Sequence, residues 1–132
     1  MLSRSFWRRQ EIWKSAKLRC ATVRMPFTLA AMFGLRAFAN NFEIDEIKEA
    51  ADFAHSLGKK VYVTVNIFAH NSDIEKLPEY LLALQKAGAD ALLISDLGVW
   101  QTARRVVPGM PLHVSTQANT TNWASVQAWQ DL

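Results

Sequence analysis

The stretch KVYVTVNIFAHN, residues 60–71, decides the fold. Five β-favouring residues in succession, Val61, Tyr62, Val63, Thr64 and Val65, specify a strand, and the polar residues Asn66, His70 and Asn71 follow where it must end. Side chains alternate along a strand, so Val61, Val63 and Val65 share one face and Tyr62, Thr64 and Asn66 the other. The all-valine face belongs against helices. The mixed face grows more polar toward Asn66, and in α/β folds the C-terminal ends of strands are where chemistry is placed.

Working outward, helical and extended patterns alternate. Ile44, Ile47, Ala50, Ala51, Ala54 and Leu57 recur at helical spacing with charged residues between them, predicting a helix over 44–57 that Gly58 stops. After the strand, Ser72 or Asp73 is positioned to cap a helix reaching about residue 87, with Leu77, Leu81 and Leu84 as its stripe and Gly88 at its end; Pro78 is read as lying in its early turns. Residues 89–95 (ADALLIS) form a second strand pattern, 98–107 a short helix ended by Pro108 and Gly109, 111–115 (PLHVS) a third strand and 122–132 a last helix. Strand starts near 60, 89 and 111 are spaced as βα units are. Short connections then predict an α/β fold with parallel strands, specifically a partial (β/α) TIM-type barrel. An open doubly wound sheet is the alternative, but no Gly-rich phosphate loop follows any strand.

Composition narrows the function classes. Half of the 132 residues are hydrophobic, enough for a core, yet the apolar runs are short strands, far below the ~20 residues needed to cross a bilayer. No membrane is expected, and the cytoplasm is the expected compartment. A single cysteine, Cys20, excludes an internal disulfide and a multi-cysteine metal site. No metal-ligand spacing occurs, and no cofactor is expected in this stretch. Charge is uneven: residues 1–24 hold seven basic side chains against one acid, while the other 108 residues hold eight basic and eleven acidic ones. Such a basic arm, with Trp7 and Trp13 interleaved, has the composition of a nucleic-acid-binding or transit segment.

Alternation in residues 111–117 places Leu112 and Val114 outward and His113, Ser115 and Gln117 inward, so two strands converge on one polar funnel. Ser95 and Asp96 at the middle tip and Asn119 after the last strand complete its rim. The catalytic candidates are His70, Asp96, His113 and Ser115; the substrate-binding candidates on this funnel are Asn66, Gln117 and Asn119. Each has a structural reading beside the chemical one. Asn66 and Asn119 are residue types that bond loop backbone, His70 and His113 can be hydrogen-bonded structural histidines, and Asp96 before Gly98 suits a helix cap. Ser115 and His70 can be written as a nucleophile pair, but nothing like a nucleophile elbow surrounds the serine. His55 reads as solvated among acids, and Phe38 and Phe42 as core.

The stretches FGLRAFANNF (33–42), GKKVYVTVNIFAHN (58–71), ADALLISDLGV (89–99) and LHVSTQANTTNW (112–123) together resemble the N-terminal barrel of the peptidase U32 family of collagenase-like proteins. The resemblance implies a (β/α) barrel within a longer protein carrying a downstream cysteine-bearing segment. It implies one of two activities: peptide hydrolysis, the first reading, or prephenate-dependent hydroxylation of a pyrimidine in transfer or ribosomal RNA, the alternative. The partners would be a peptide, or RNA with a small carboxylated donor for which Arg36 is the natural counter-charge. A decayed, non-catalytic relic or interaction module is a third reading. Arg36, Asn66, His70, Ser95, Asp96, His113, Ser115, Gln117 and Asn119 occupy motif positions, without a settled catalytic set to transfer onto them.

Residues 1–32 depart from that family, which opens with two strands. Read one base later after back-translation, RRQEIWKS (8–15) can encode PAGDLEK, and ATVRMPFTLAAM (21–32) can encode YGADAVYLGGN. The expectation is therefore an atypical, misframed segment over 1–32, holding neither family strand, and an incomplete barrel domain over 33–132. A chain so truncated is expected to be inactive as it stands and to self-associate through open sheet edges.

Overall fold

The computed structural model describes residues 27–30, 43–66 and 69–132; Arg36, Phe38, Phe42 and the basic arm of residues 1–24 lie outside them. The elements run β1 (Phe27–Ala30), α1 (Ile44–Ser56), β2 (Val61–Val65), α2 (Asn71–Lys86), β3 (Ala91–Ile94), α3 (Leu97–Val106), β4 (Leu112–Val114), a 3-10 turn (Thr116–Ala118) and α4 (Trp123–Asp131). The four strands form one parallel sheet in the order β1-β2-β3-β4. Alternating helix and strand in parallel is the α/β fold that the hydrophobic periods predict.

One strand corrects the sequence reading. Residues 1–32 are expected to hold neither of the family's opening strands, yet within them Phe27–Ala30 pairs with Val61–Thr64 in parallel register.

The core lies on the valine face. Val61, Val63 and Val65 are fully buried, joined by Leu92 and Ile94 from β3. Helix α1 adds Ile47, Ala50, Ala51 and Ala54, α2 adds Leu77, Leu81 and Leu84, and α3 adds Val99, Trp100 and Ala103. Each stripe has the i, i+3, i+4, i+7 spacing that turns one helix face to the sheet. Burying each of the three valines contributes about 1.5–3 kcal/mol before the ordering entropy is subtracted.

Two helices stop by one device. At the end of α1, Lys59 N–H donates to Ala54 O and Gly58 N–H to His55 O; at the end of α2, Ala89 N–H donates to Leu84 O and Gly88 N–H to Gln85 O. These are paired Schellman bonds, which require a left-handed residue, and Gly58 (φ +66°) and Gly88 (φ +92°) provide it.

The start of α2 differs from expectation. It begins at Asn71, not after Ser72 or Asp73, and Asp73 instead accepts a hydrogen bond from the backbone N–H of His70 at 3.0 Å. Pro78 consequently sits in the helix interior, where its missing N–H leaves the Ile74 carbonyl without the usual i+4 donor.

At the opposite end of the sheet, Asp90 ties three elements together. Its Oδ2 accepts from Val61 N–H at 2.7 Å and lies 2.8 Å from His55 Nε2, while its own N–H donates to Val61 O. His55 is thus paired and not merely solvated. Helix α4 buries no residue fully; it touches the body through Trp129, which meets the edge of Trp100 at 5.1 Å.

Candidate functional site

Strand register assembles the site. Because Thr64 pairs with Leu93 and Leu93 with His113, the residues opposite the core form rows: Tyr62 beside Ala91, then Thr64, Leu93 and His113, then Asn66, Ser95 and Ser115 at the C-terminal tips. The face holding Tyr62, Thr64, Asn66, His113 and Ser115 is therefore the one that alternation assigned.

Two contacts cross over β3. The rings of Tyr62 and His113 lie 5.1 Å apart, inclined by 30°. One row further, Asn66 Nδ2–H donates to Ser115 Oγ. Neighbouring strands lie about 4.8 Å apart, so β2 and β4 side chains can meet only over small residues on β3. Ala91 and Ser95 are those residues.

Ser115 is 6% exposed, and its hydroxyl oxygen accepts a second, long bond from Gln117 N–H at 3.4 Å. Both lone pairs are thereby engaged. Among the described residues no hydrogen bond joins Ser115 to a histidine: His70 is exposed at the head of α2, and His113 turns its ring to Tyr62. A serine nucleophile needs a base within hydrogen-bond reach, and among the described residues Ser115 has none.

The remaining candidates divide. Asp96 caps α3, its Oδ1 accepting Val99 N–H at 2.9 Å. Gln117 lies exposed in the 3-10 turn, and Asn119 closes that turn at φ 52°, ψ 40°, a left-handed conformation that asparagine tolerates. Asn66 Oδ1 is shielded from solvent and has no hydrogen-bond partner among the described residues. Trp100 Nε1 and Thr120 Oγ1 share that condition. They line a cavity of about 800 Å³ on the helix side of β4, with Met110, Leu112, Val114 and Trp129. The sequence pattern did not single out Trp100 or Trp129, because tryptophans at helical spacing read as core, nor Thr120, which lies in the loop before α4. Among the described residues no cluster of histidine, cysteine and carboxylate side chains could hold a metal ion, and no helix is long and apolar enough to cross a membrane.

With parallel βα units and polar strand tips in place, comparison with known sequences becomes informative. The profile of peptidase family U32 matches residues 27–132. The chain belongs to peptidase family U32. Its match begins at the first residue of β1. A similar U32-type relative is tRNA hydroxylation protein P1 of Bacillus subtilis, 44% identical over 75% of this chain and 24% of its own length. The 23S rRNA 5-hydroxycytidine C2501 synthase of Escherichia coli is 34% identical over 66% of this chain and 13% of its own. A Methanocaldococcus jannaschii protein named as an uncharacterized protease is 39% identical over 67% of this chain and 21% of its own. The chain thus spans about a quarter or less of the length of these relatives. No solved structure matches it significantly.

Proposed function

We propose that this chain is part of a protein that hydroxylates a pyrimidine in RNA, its parallel strands forming one arc of a (β/α) barrel whose C-terminal mouth holds the reaction. The observation that carries this reading is the 44% identity to a tRNA hydroxylation protein over three quarters of the chain. The similarity to a ribosomal RNA hydroxycytidine synthase points the same way. It displaces peptide hydrolysis as the first reading. The protease-named relative supports hydrolysis, but Ser115 is engaged as a double acceptor, and neither His70 nor His113 bonds it.

On this reading Asn66, His113 and the Ser115 hydroxyl line the mouth, Asp96 and Asn119 shape its loops, and a small carboxylated donor pairs with Arg36. The reaction is one for the full-length parent in the cytoplasm, where its RNA is. The 132-residue chain matches about a quarter of the length of that relative. The misframed reading of residues 1–32 is decided by the nucleotide sequence: it stands if correcting insertions or deletions restore PAGDLEK and YGADAVYLGGN.

Mass spectrometry of RNA nucleosides from cells lacking the parent gene, alongside gelatin cleavage by the full-length protein, tests the function. Hydroxypyrimidine should fall on deletion and return on complementation, with gelatin left intact. Unchanged hydroxypyrimidine would remove the RNA reading, and cleaved gelatin would restore the peptidase.

A further inference from the structure

Alone among the described α-helices, α4 places no residue in the core. Helices α1, α2 and α3 each bury at least three, whereas α4 only rests Trp129 and Leu132 against the body. Its polar bonds are internal. Ser125 N–H and Oγ–H both donate to the capping Asn122 Oδ1, and Gln127 Nε2–H donates to Asp131 Oδ1 one turn later. No hydrogen bond joins residues 122–132 to another described element. Space lies on both flanks of the helix. The cavity of about 800 Å³ beside β4 and a second of about 560 Å³ at the tip of β3 share Thr120, Trp129 and Leu132 as lining. Trp129 is therefore part of the wall between them.

An element with few buried contacts opens at a lower free energy than the core it rests on. We infer that α4 is a strap over the tips of β3 and β4, docked through Trp129 on the edge of Trp100 and released about the link after Asn119 while the sheet stays folded. Asn119 ends the 3-10 turn at φ 52°, and only Thr120 and Thr121 separate it from the Asn122 cap, so movement there breaks no strand pairing. Release joins the two cavities. It uncovers Ser95 and Asp96, which line one of them, and Ser115, which lines the other. The strap thus governs access to the strand-tip residues from the helix side, whichever reaction the parent performs.

Hydrogen exchange of the purified chain, read by mass spectrometry on α3 and α4 peptides at several low urea concentrations, tests the strap. The sample is kept dilute, so that pairing between chains does not cover α4. A nine-residue helix does not persist undocked, so each release exposes its amides. The α4 amides should exchange about a hundredfold faster than those of α3, at a rate that urea scarcely changes, because a local opening exposes little surface. Exchange in α3 should instead accelerate steeply with urea, since it needs the whole sheet to unfold. Trp129→Ala should speed α4 exchange about tenfold further, the scale of one lost aromatic contact, and leave α3 unchanged. Trp129→Phe, which keeps a ring on Trp100, should recover most of the protection.

Helices α3 and α4 exchanging at one rate with one urea dependence would overturn the strap. So would a Trp129→Ala chain in which both helices accelerate alike. A gradient of exchange along α4 that Trp129→Ala does not move would also overturn it, because the helix would then be fraying from an end and not leaving Trp100 as a unit.

Discussion

At the scale of single residues, the two left-handed glycines offer the sharpest comparison. Gly58 and Gly88 both have positive φ, but a Cβ at Gly58 meets nothing within 4 Å, whereas at Gly88 it comes 3.2 Å from Ala51 Cβ in the α1 core stripe. Gly58→Ala should therefore cost only the conformational strain, about 1–2 kcal/mol, and Gly88→Ala measurably more. Urea midpoints of the two variants check this, and equal losses would show that Ala51 yields freely. Tyr80 provides a pH test. Burial raises its pKa from 10.0 to about 12. The unfolded chain therefore gives up this proton first, so the Tyr80 contribution is complete below pH ~10 and is lost as pH rises toward 12. Stability measured across that window should fall more steeply for the native chain than for Tyr80→Phe; parallel curves would count against the shift. Residue identity alone made the valine face and the Tyr62, Thr64, Asn66 face legible, because period-2 alternation depends only on neighbours in sequence. It could not reveal the pairing of His55 with Asp90, since that partner lies 35 positions away and is brought in only by the strand register.

At the scale of elements, the helix ends separate local from tertiary control. Asp96 was legible as a cap because the cap, its acceptor and Val99 lie within one turn. Gly98 fits the same device, for a Cβ there would stand 3.1 Å from Asp96 Oδ1. Asp96→Ala should cost about 1 kcal/mol and Asp96→Asn much less, because the amide oxygen still accepts the Val99 N–H. Denaturant midpoints measure the stability, and hydroxypyrimidine in complemented cells reads activity. Full activity of the Asn variant would confine Asp96 to capping, whereas its loss with stability intact would give the carboxylate a chemical part. The start of α2 was misplaced because Ser72, Asp73 and His70 are all plausible first-turn residues, and Pro78 argued for a later start. The helix tolerates Pro78 because Leu77, Leu81 and Leu84 bury completely on either side of it. The site itself was legible only as rows of residues. That Asn66 reaches Ser115, and Tyr62 reaches His113, depends on small residues on the intervening strand.

At the scale of the whole molecule, the fold class was visible in strand spacing, while β1 was missed because residues 21–32, which contain it, read as misframed. The sheet ends at β4, whose outer edge has no neighbouring strand among the described residues. On α4, Trp123 is 82% and Val126 47% exposed, and Val126 lines the cavity together with Leu112 and Val114 of β4 and Trp129. An unpaired strand edge flanked by apolar surface is a template for a second chain. We therefore expect the purified chain to self-associate through β4 and α4. Light scattering should give a mass above the 14.9 kDa monomer that rises with concentration. Trp123→Lys combined with Val126→Lys should shift the population toward monomer, since charge beside the edge opposes pairing and the substituted residues carry no core packing. A native chain that stays monomeric at every concentration and melts cooperatively would show that the edge is already protected, and that the four-stranded sheet is stable without further strands.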